Sequence, residues 1–335
     1  MSSAPTPEAI ARDATWLAQA YDPDAGRVRL VEMDPQAYRN ASFLDDRMLQ
    51  RPMTSHGVDW QKVRSALAVD ARTDARWIFH IGHVGSTLVA RLIGEIEGVL
   101  AVREPRFLRD LAALGNEDRS HLLFPTQALF SRTFGEQELA LVKATSFVSE
   151  IADQLVPAGE RALFLYARPR AYVASILAGE NSIKELAALG PSRSQRMSGR
   201  VKLPQPSNSA EATAAAWACE ITALESAADR MAGRTIAWAD FDAMLADMPN
   251  ELIRFAQYFG FAATAERLHA IATGPLMSRY SKALEYDYSP ALRRDLIAEA
   301  GAAHRADIDS ALAMLDRAAE KSPLLARALA RSGES

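Results

Sequence analysis

From residue 76 onward, short apolar runs without strict alternation are followed by stretches with apolar residues at helical spacing. WIFHI at 77–81, VLAVRE at 99–104, LALVKAT at 139–145, RALFLYA at 161–167 and RTIAWAD at 234–240 read as strands. TLVARLIGEIEGV from Thr87, RFLRDLAAL, SFVSEIADQLV, PRAYVASILAG and FDAMLADM read as the helices after them, and an alanine-rich helix is predicted at 209–232. Apolar strands separated by helices point to an α/β fold, a parallel sheet covered on both faces. The chain after 250 reads as helical, interrupted at 278–290.

The first 75 residues predict a mixed, irregular and partly helical extension packed on a domain spanning 76–335. Within it, Thr6 and Pro7 open a helix, RVRLVEM at 27–33 is a short strand, and a second helix is expected around Ser65 to Ala71. The polar, basic segment from Pro191 to Ser209 reads as a long mobile loop. The sequence carries no internal repeat.

With 335 residues, 49% hydrophobic and 24% charged, the chain can bury a core without disulfides or metals. A net charge of −4 argues against a general nucleic-acid binder or a polybasic membrane anchor, though not against a local basic pocket. The single cysteine, Cys219, lies in an apolar helical context and reads as a core thiol. Cysteine usage and an amino terminus without a basic start and apolar run predict a cytoplasmic protein without a membrane span.

Candidate chemistry centres on FHIGHVGSTLVARL at 79–92. A glycine-bearing loop between a buried strand and a helix offers backbone N–H groups and a positive helix end to an anion. Gly82 and Gly85 allow the tight turn, Ser86 and Thr87 add hydroxyls, and His83 adds a donor or a positive charge. An ordinary strand-to-helix turn with a serine cap gives the same local pattern. The triphosphate loop G-x-x-x-x-G-K-S/T is not met, because Ser86 follows Gly85.

The loop resembles the 5′-phosphosulfate loop of the sulfotransferase family, in which proline and a lysine or arginine precede a small residue, glycine and a hydroxyl pair. Gly82 stands at the proline position, His83 at the basic one, and Ser86–Thr87 match the hydroxyls. LFLYARPRAYVASIL is similar to the family's 3′-phosphate segment, with Arg168, Arg170 and Ser175 as the candidates, although Arg168 is displaced by one residue from the family's pattern. Glu104, Lys143 in LVKATSF and AWADF at 237–241 follow in the family's order, so the likeness spans about residues 77–245.

The resemblance implies a P-loop-type fold and 3′-phosphoadenosine 5′-phosphosulfate as donor, with no metal. Gly82, His83, Gly85, Ser86, Thr87, Arg168, Arg170 and Ser175 would bind the donor. His83 and Lys143 would stabilise developing charge, and Glu104 would be the general base, with His80 and His121 as alternatives. A strand-end carboxylate paired with Arg103 or Arg106 is the plainer reading of Glu104. Arg279, Lys282 and the basic 191–202 segment are candidates for closing the site. The acceptor, a small molecule or one the sequence does not identify, would offer a hydroxyl or amine and be bound by residues 106–135 and 180–209. Two other readings remain open at this level. One is an ATP-using kinase or hydrolase with Asp240 or Glu104 on Mg²⁺; the other is a non-catalytic nucleotide-binding protein.

Overall fold

Thr6 starts the first element: its Oγ1 accepts from the Ala9 N–H at 3.3 Å, and Pro7 pre-sets the first turn of α1 (Pro7–Arg12). The chain is described by a computed structural model over residues 4–278 and 289–333. The strand expected at 27–33 forms as β2 (Arg27–Glu32), and where the sequence predicts the rest of the extension to be irregular two more strands join it, β1 (Trp16–Asp22) and β3 (Ser55–Asp59), in an antiparallel sheet of order β1-β2-β3. β1 carries no alternation because all but its last residue are buried. Between β2 and β3 lie α2 (Pro35–Asn40), capped by Asp34, and a 3₁₀ turn at Asp46–Gln50. The helix expected around 65–71 instead runs over α3 (Trp60–Ala66), because Asp59 caps it five residues earlier, accepting from Gln61 N at 2.8 Å.

The second sheet carries the site. In chain order it is built from β4 (Arg76–His80), α4 (Ser86–Gly94), β5 (Val99–Arg103), α5 (Arg106–Ala113), α6 (Asn116–Ser120), α7 (Leu123–Ser131), β6 (Leu139–Lys143), α8 (Ala152–Leu155), β7 (Arg161–Tyr166), α9 (Pro169–Leu177), α10 (Glu180–Met197), α11 (Ser209–Arg230) and β8 (Thr235–Asp240). All its pairings are parallel and the order is β5-β6-β4-β7-β8. The α/β architecture is therefore as the apolar pattern predicts. β4 lies at the centre, and the crevice at the carboxyl ends of such strands is where open α/β sheets hold ligands.

Aromatic contacts cross the sheet. Trp77 stacks on Phe79 at 5.8 Å, Phe79 meets Phe164 edge-on at 5.7 Å, and Phe164 meets Trp238 at 5.0 Å. Trp217 on α11 donates Nε1–H to the Ala167 carbonyl at 2.9 Å, tying that helix to the end of β7. Cys219 is fully buried on the same helix.

The predicted loop at 191–209 is a correction. α10 continues through Pro191 to Met197, and only the stretch from 198 to 208 is non-helical. Its inward face combines the buried Leu186 and Met197 with a set of ion pairs. Arg193 Nε and Arg196 Nη2 reach the buried carboxylate of Glu220 at 3.0 and 2.6 Å, and Arg196 and Arg200 reach Glu150. Hydropathy periodicity cannot register such a face.

The carboxyl part is helical: α12 (Phe241–Ala246), α13 (Met248–Phe259), α14 (Ala265–Ala272), then α15 (Pro290–Ala303), α16 (Arg305–Ala319) and α17 (Pro323–Ser332). Arg279 and Lys282 lie outside the described residues. Among the described residues, no helix is long and apolar enough to cross a membrane.

Candidate active site

The loop after β4 is built around positive backbone angles. Gly82, His83 and Gly85 have φ of +81°, +53° and +62°. Glycine is required at 85 twice over, because an added Cβ would lie 1.9 Å from Phe241 Cε2. The first intrahelical bond of α4 runs from Val89 N to Gly85 O at 3.1 Å. The N–H groups of Ser86, Thr87 and Leu88 therefore have no acceptor within the helix, and no side chain caps that end among the described residues. Gly82 N–H is turned inward, donating to His80 Nδ1 at 2.9 Å. The result is an anion cradle of main-chain donors at a helix start.

This loop forms the floor of a cleft of about 1000 Å³. Of the predicted residues, Gly82, His83, Gly85, Ser86, Thr87, Glu104, Lys143 and Ser175 line it, as does His80. Arg168 and Arg170 do not: Arg168 Nε pairs with Asp240 at 2.9 Å, and Arg170 Nη2 with Asp309 at 2.8 Å. His121 is exposed at the end of α6, away from the lining.

Glu104 directly follows β5 in the left-handed region, φ +53°, with its N–H on the Lys143 carbonyl at 2.7 Å. Its carboxylate does not pair with Arg103 or Arg106. Arg103 caps the carbonyls at the end of α2, and Arg106 pairs with Asp46 and Asp110. Instead, Glu104 Oε1 accepts from Lys143 Nζ, which also donates to Thr87 Oγ1 at 3.1 Å. His80 Nε2 stands 3.7 Å from Oε1, and Arg47 Nη2 stands 3.7 Å from Oε2. Burial alone would push this carboxyl's pKa up; the Lys143 charge, with His80 beside it, outweighs burial and holds the group well below the ordinary carboxylate range.

His83 projects toward α10, with Nε2 3.5 Å from Glu185 Oε2. On the opposite side of the loop, Ser175 Oγ accepts from Arg293 Nη1 at 3.1 Å. Arg293 enters from α15, binds Asp242 at 3.1 Å through Nε and lies over the Phe241 ring at 4.8 Å. Its Nη2 is buried without a hydrogen-bond partner among the described residues. A charged donor in that condition is costly unless an acceptor arrives.

Sequence reasoning missed Arg293 because 118 residues separate it from Ser175 and no local motif marks it. It also missed Arg47, which reaches Glu104 from the 3₁₀ turn and lies over the Phe43 ring at 3.4 Å. Leu292, Leu296 and Ile297 of α15, with Phe241, give the Arg293 side of the cleft an apolar wall.

No protein-family model matches the chain, and no curated protein matches it. Among solved structures, it is similar to a sulfotransferase domain from the curacin biosynthetic pathway, at 11% identity and a TM-score of 0.39, over 69% of this chain and 91% of that one. It is also similar to the sulfotransferase domain of the Synechococcus PCC 7002 olefin synthase, at 12% identity and a TM-score of 0.37, over 66% and 86% of the two chains.

Proposed function

We propose that the protein is a sulfotransferase that moves a sulfuryl group from 3′-phosphoadenosine 5′-phosphosulfate to a hydroxyl or amine acceptor. The observation that carries this reading is the convergence, in one cleft, of an uncapped glycine loop, a buried Lys143–Glu104 pair beside it, and the Ser175–Arg293 pair across from it. A donor that carries phosphates on the 3′ and 5′ oxygens of one ribose needs two separate anion sites in one cleft. The loop N–H groups suit the 5′ end. Arg293 and Ser175, rather than Arg168 or Arg170, suit the 3′-phosphate, since a guanidinium with an unused N–H gains a charge-assisted hydrogen bond there.

The donor supplies the sulfuryl group: the acceptor's oxygen or nitrogen bonds to sulfur as the sulfur–oxygen bond to the 5′-phosphate breaks, and adenosine 3′,5′-bisphosphate leaves. Glu104 takes the acceptor's proton, and Lys143 and the loop N–H groups offset charge on the departing phosphate oxygen. His83, held toward Glu185, adds a further donor at the loop.

Thermal shift tests the reading. Adenosine 3′,5′-bisphosphate at about 100 times its Kd stabilises the protein by about 2.7 kcal/mol, and ATP with Mg²⁺ does not match it. Stabilisation by ATP with Mg²⁺ alone would overturn the proposal in favour of a phosphoryl-transfer enzyme.

A further inference from the structure

Lys143 is 1% exposed, so its ammonium exchanges partners only among the groups around it. Among those groups are Thr87 Oγ1 on the first turn of α4 and Glu104 Oε1. Thr87 belongs to the anion cradle, so an anion held there lies beside the same nitrogen that neutralises Glu104. One buried ammonium then faces two negative groups, and a low-dielectric site does not neutralise both with a single charge. The other groups facing Glu104 compensate less than Lys143 does and stand farther off. Arg47 is tied through Nη2 to Asp45 at 2.6 Å, and His80 stands off at 3.7 Å with Nδ1 occupied by the Gly82 N–H.

We infer that Lys143 is a switch between Glu104 and the loop: without an anion on Gly82–Thr87 it silences the carboxylate, and a bound anion draws it away and turns Glu104 into a base. The carboxyl held low by the ammonium is a poor proton acceptor in the ligand-free protein. Losing that charge leaves a buried carboxylate whose proton affinity rises, the change a general base needs. The acceptor is then deprotonated only after the donor is in place. This rests on the sulfuryl-transfer reading for its catalytic consequence, while the competition itself concerns any anion on the loop.

The test is a double-substitution cycle read by calorimetric titration with two probes, inorganic pyrophosphate and adenosine 3′,5′-bisphosphate. Glu104→Gln releases Lys143 and tightens both probes about five- to tenfold. In a Lys143→Met background the same Glu104→Gln change alters affinity by less than about twofold, because the shared ammonium is gone. Lys143→Gln serves as the second variant if Lys143→Met does not fold. No tightening in Glu104→Gln overturns the switch. Equal tightening in both backgrounds also overturns it, since that is the plain removal of a nearby negative charge. Failure of pyrophosphate to bind any variant overturns it as well. Binding of pyrophosphate but not of the bisphosphate defeats the proposed donor while the cycle still decides the switch.

Discussion

Replacing Lys143 by methionine strips the compensating charge from a carboxylate whose side chain is 10% exposed. At an effective dielectric of about 20, a unit charge pair at 4 Å is worth about 4 kcal/mol, and breaking a buried pair from one side costs about 3–5 kcal/mol. Arg47 and His80, each 3.7 Å from the carboxylate, keep the loss toward the lower end. Lys143→Met therefore loses about 3 kcal/mol at pH 7 in urea unfolding, and Glu104→Gln in the same chain restores most of it.

The pH dependence has a definite sign. In the wild type, Glu104 is held below its ordinary value, so its stabilisation is present above about pH 5 and fades as the pH falls through the acid range. In Lys143→Met the desolvated carboxyl titrates above its ordinary value, so that variant gains stability as the pH falls from 7 toward 5, and its deficit narrows. A loss under about 1 kcal/mol, or a deficit that widens toward pH 5, would refute the reasoning.

Three further outcomes follow from separate parts of the molecule. Gly85→Ala places a Cβ 1.9 Å from Phe241 Cε2 at a φ of +62°, so it costs at least the ~1–2 kcal/mol of a left-handed alanine and abolishes anion binding to the loop in calorimetric titration. Cys219 is fully buried, its thiol pushed up to about 12 by desolvation, so an aromatic disulfide reagent labels it only at the rate of unfolding; rapid labelling of native protein would contradict that placement. Glu220→Leu leaves the buried Arg193 without its carboxylate and Arg196 with Glu150 alone, which costs about 3 kcal/mol and opens the 198–208 connection to limited proteolysis; unchanged cleavage would deny that this ion-pair network holds α10.

Strand placement was legible because parallel strands buried on both faces must be apolar throughout, and the five predicted core strands each fall within one residue of the observed start. The loop and the two groups nearest it, Glu104 and Lys143, were legible for a related reason. They sit at the carboxyl ends of adjacent strands, so their chain order maps directly onto space. What escaped depends on side chains that meet across distant segments. β1 hid its strand character because the buried Gln19 breaks its apolar run, and α10 hid part of its inward face because Arg193 stands there between Leu186 and Met197. Arg168 follows β7, where the family pattern places a phosphate ligand, but Asp240 at the end of neighbouring β8 captures it. The guanidinium that does reach the cleft comes from α15 and depends on how the carboxyl helices fold back, which no local pattern encodes.

The most direct test of the account is calorimetric titration of adenosine 3′,5′-bisphosphate and adenosine 5′-monophosphate into the wild type, Arg293→Ala and Arg168→Ala. The wild type is expected to prefer the bisphosphate by at least about tenfold, the size of one charge-assisted contact. Arg293→Ala is expected to erase that preference and Arg168→Ala to retain it. Equal binding of the two nucleotides by the wild type, or loss of the preference in Arg168→Ala alone, would contradict it.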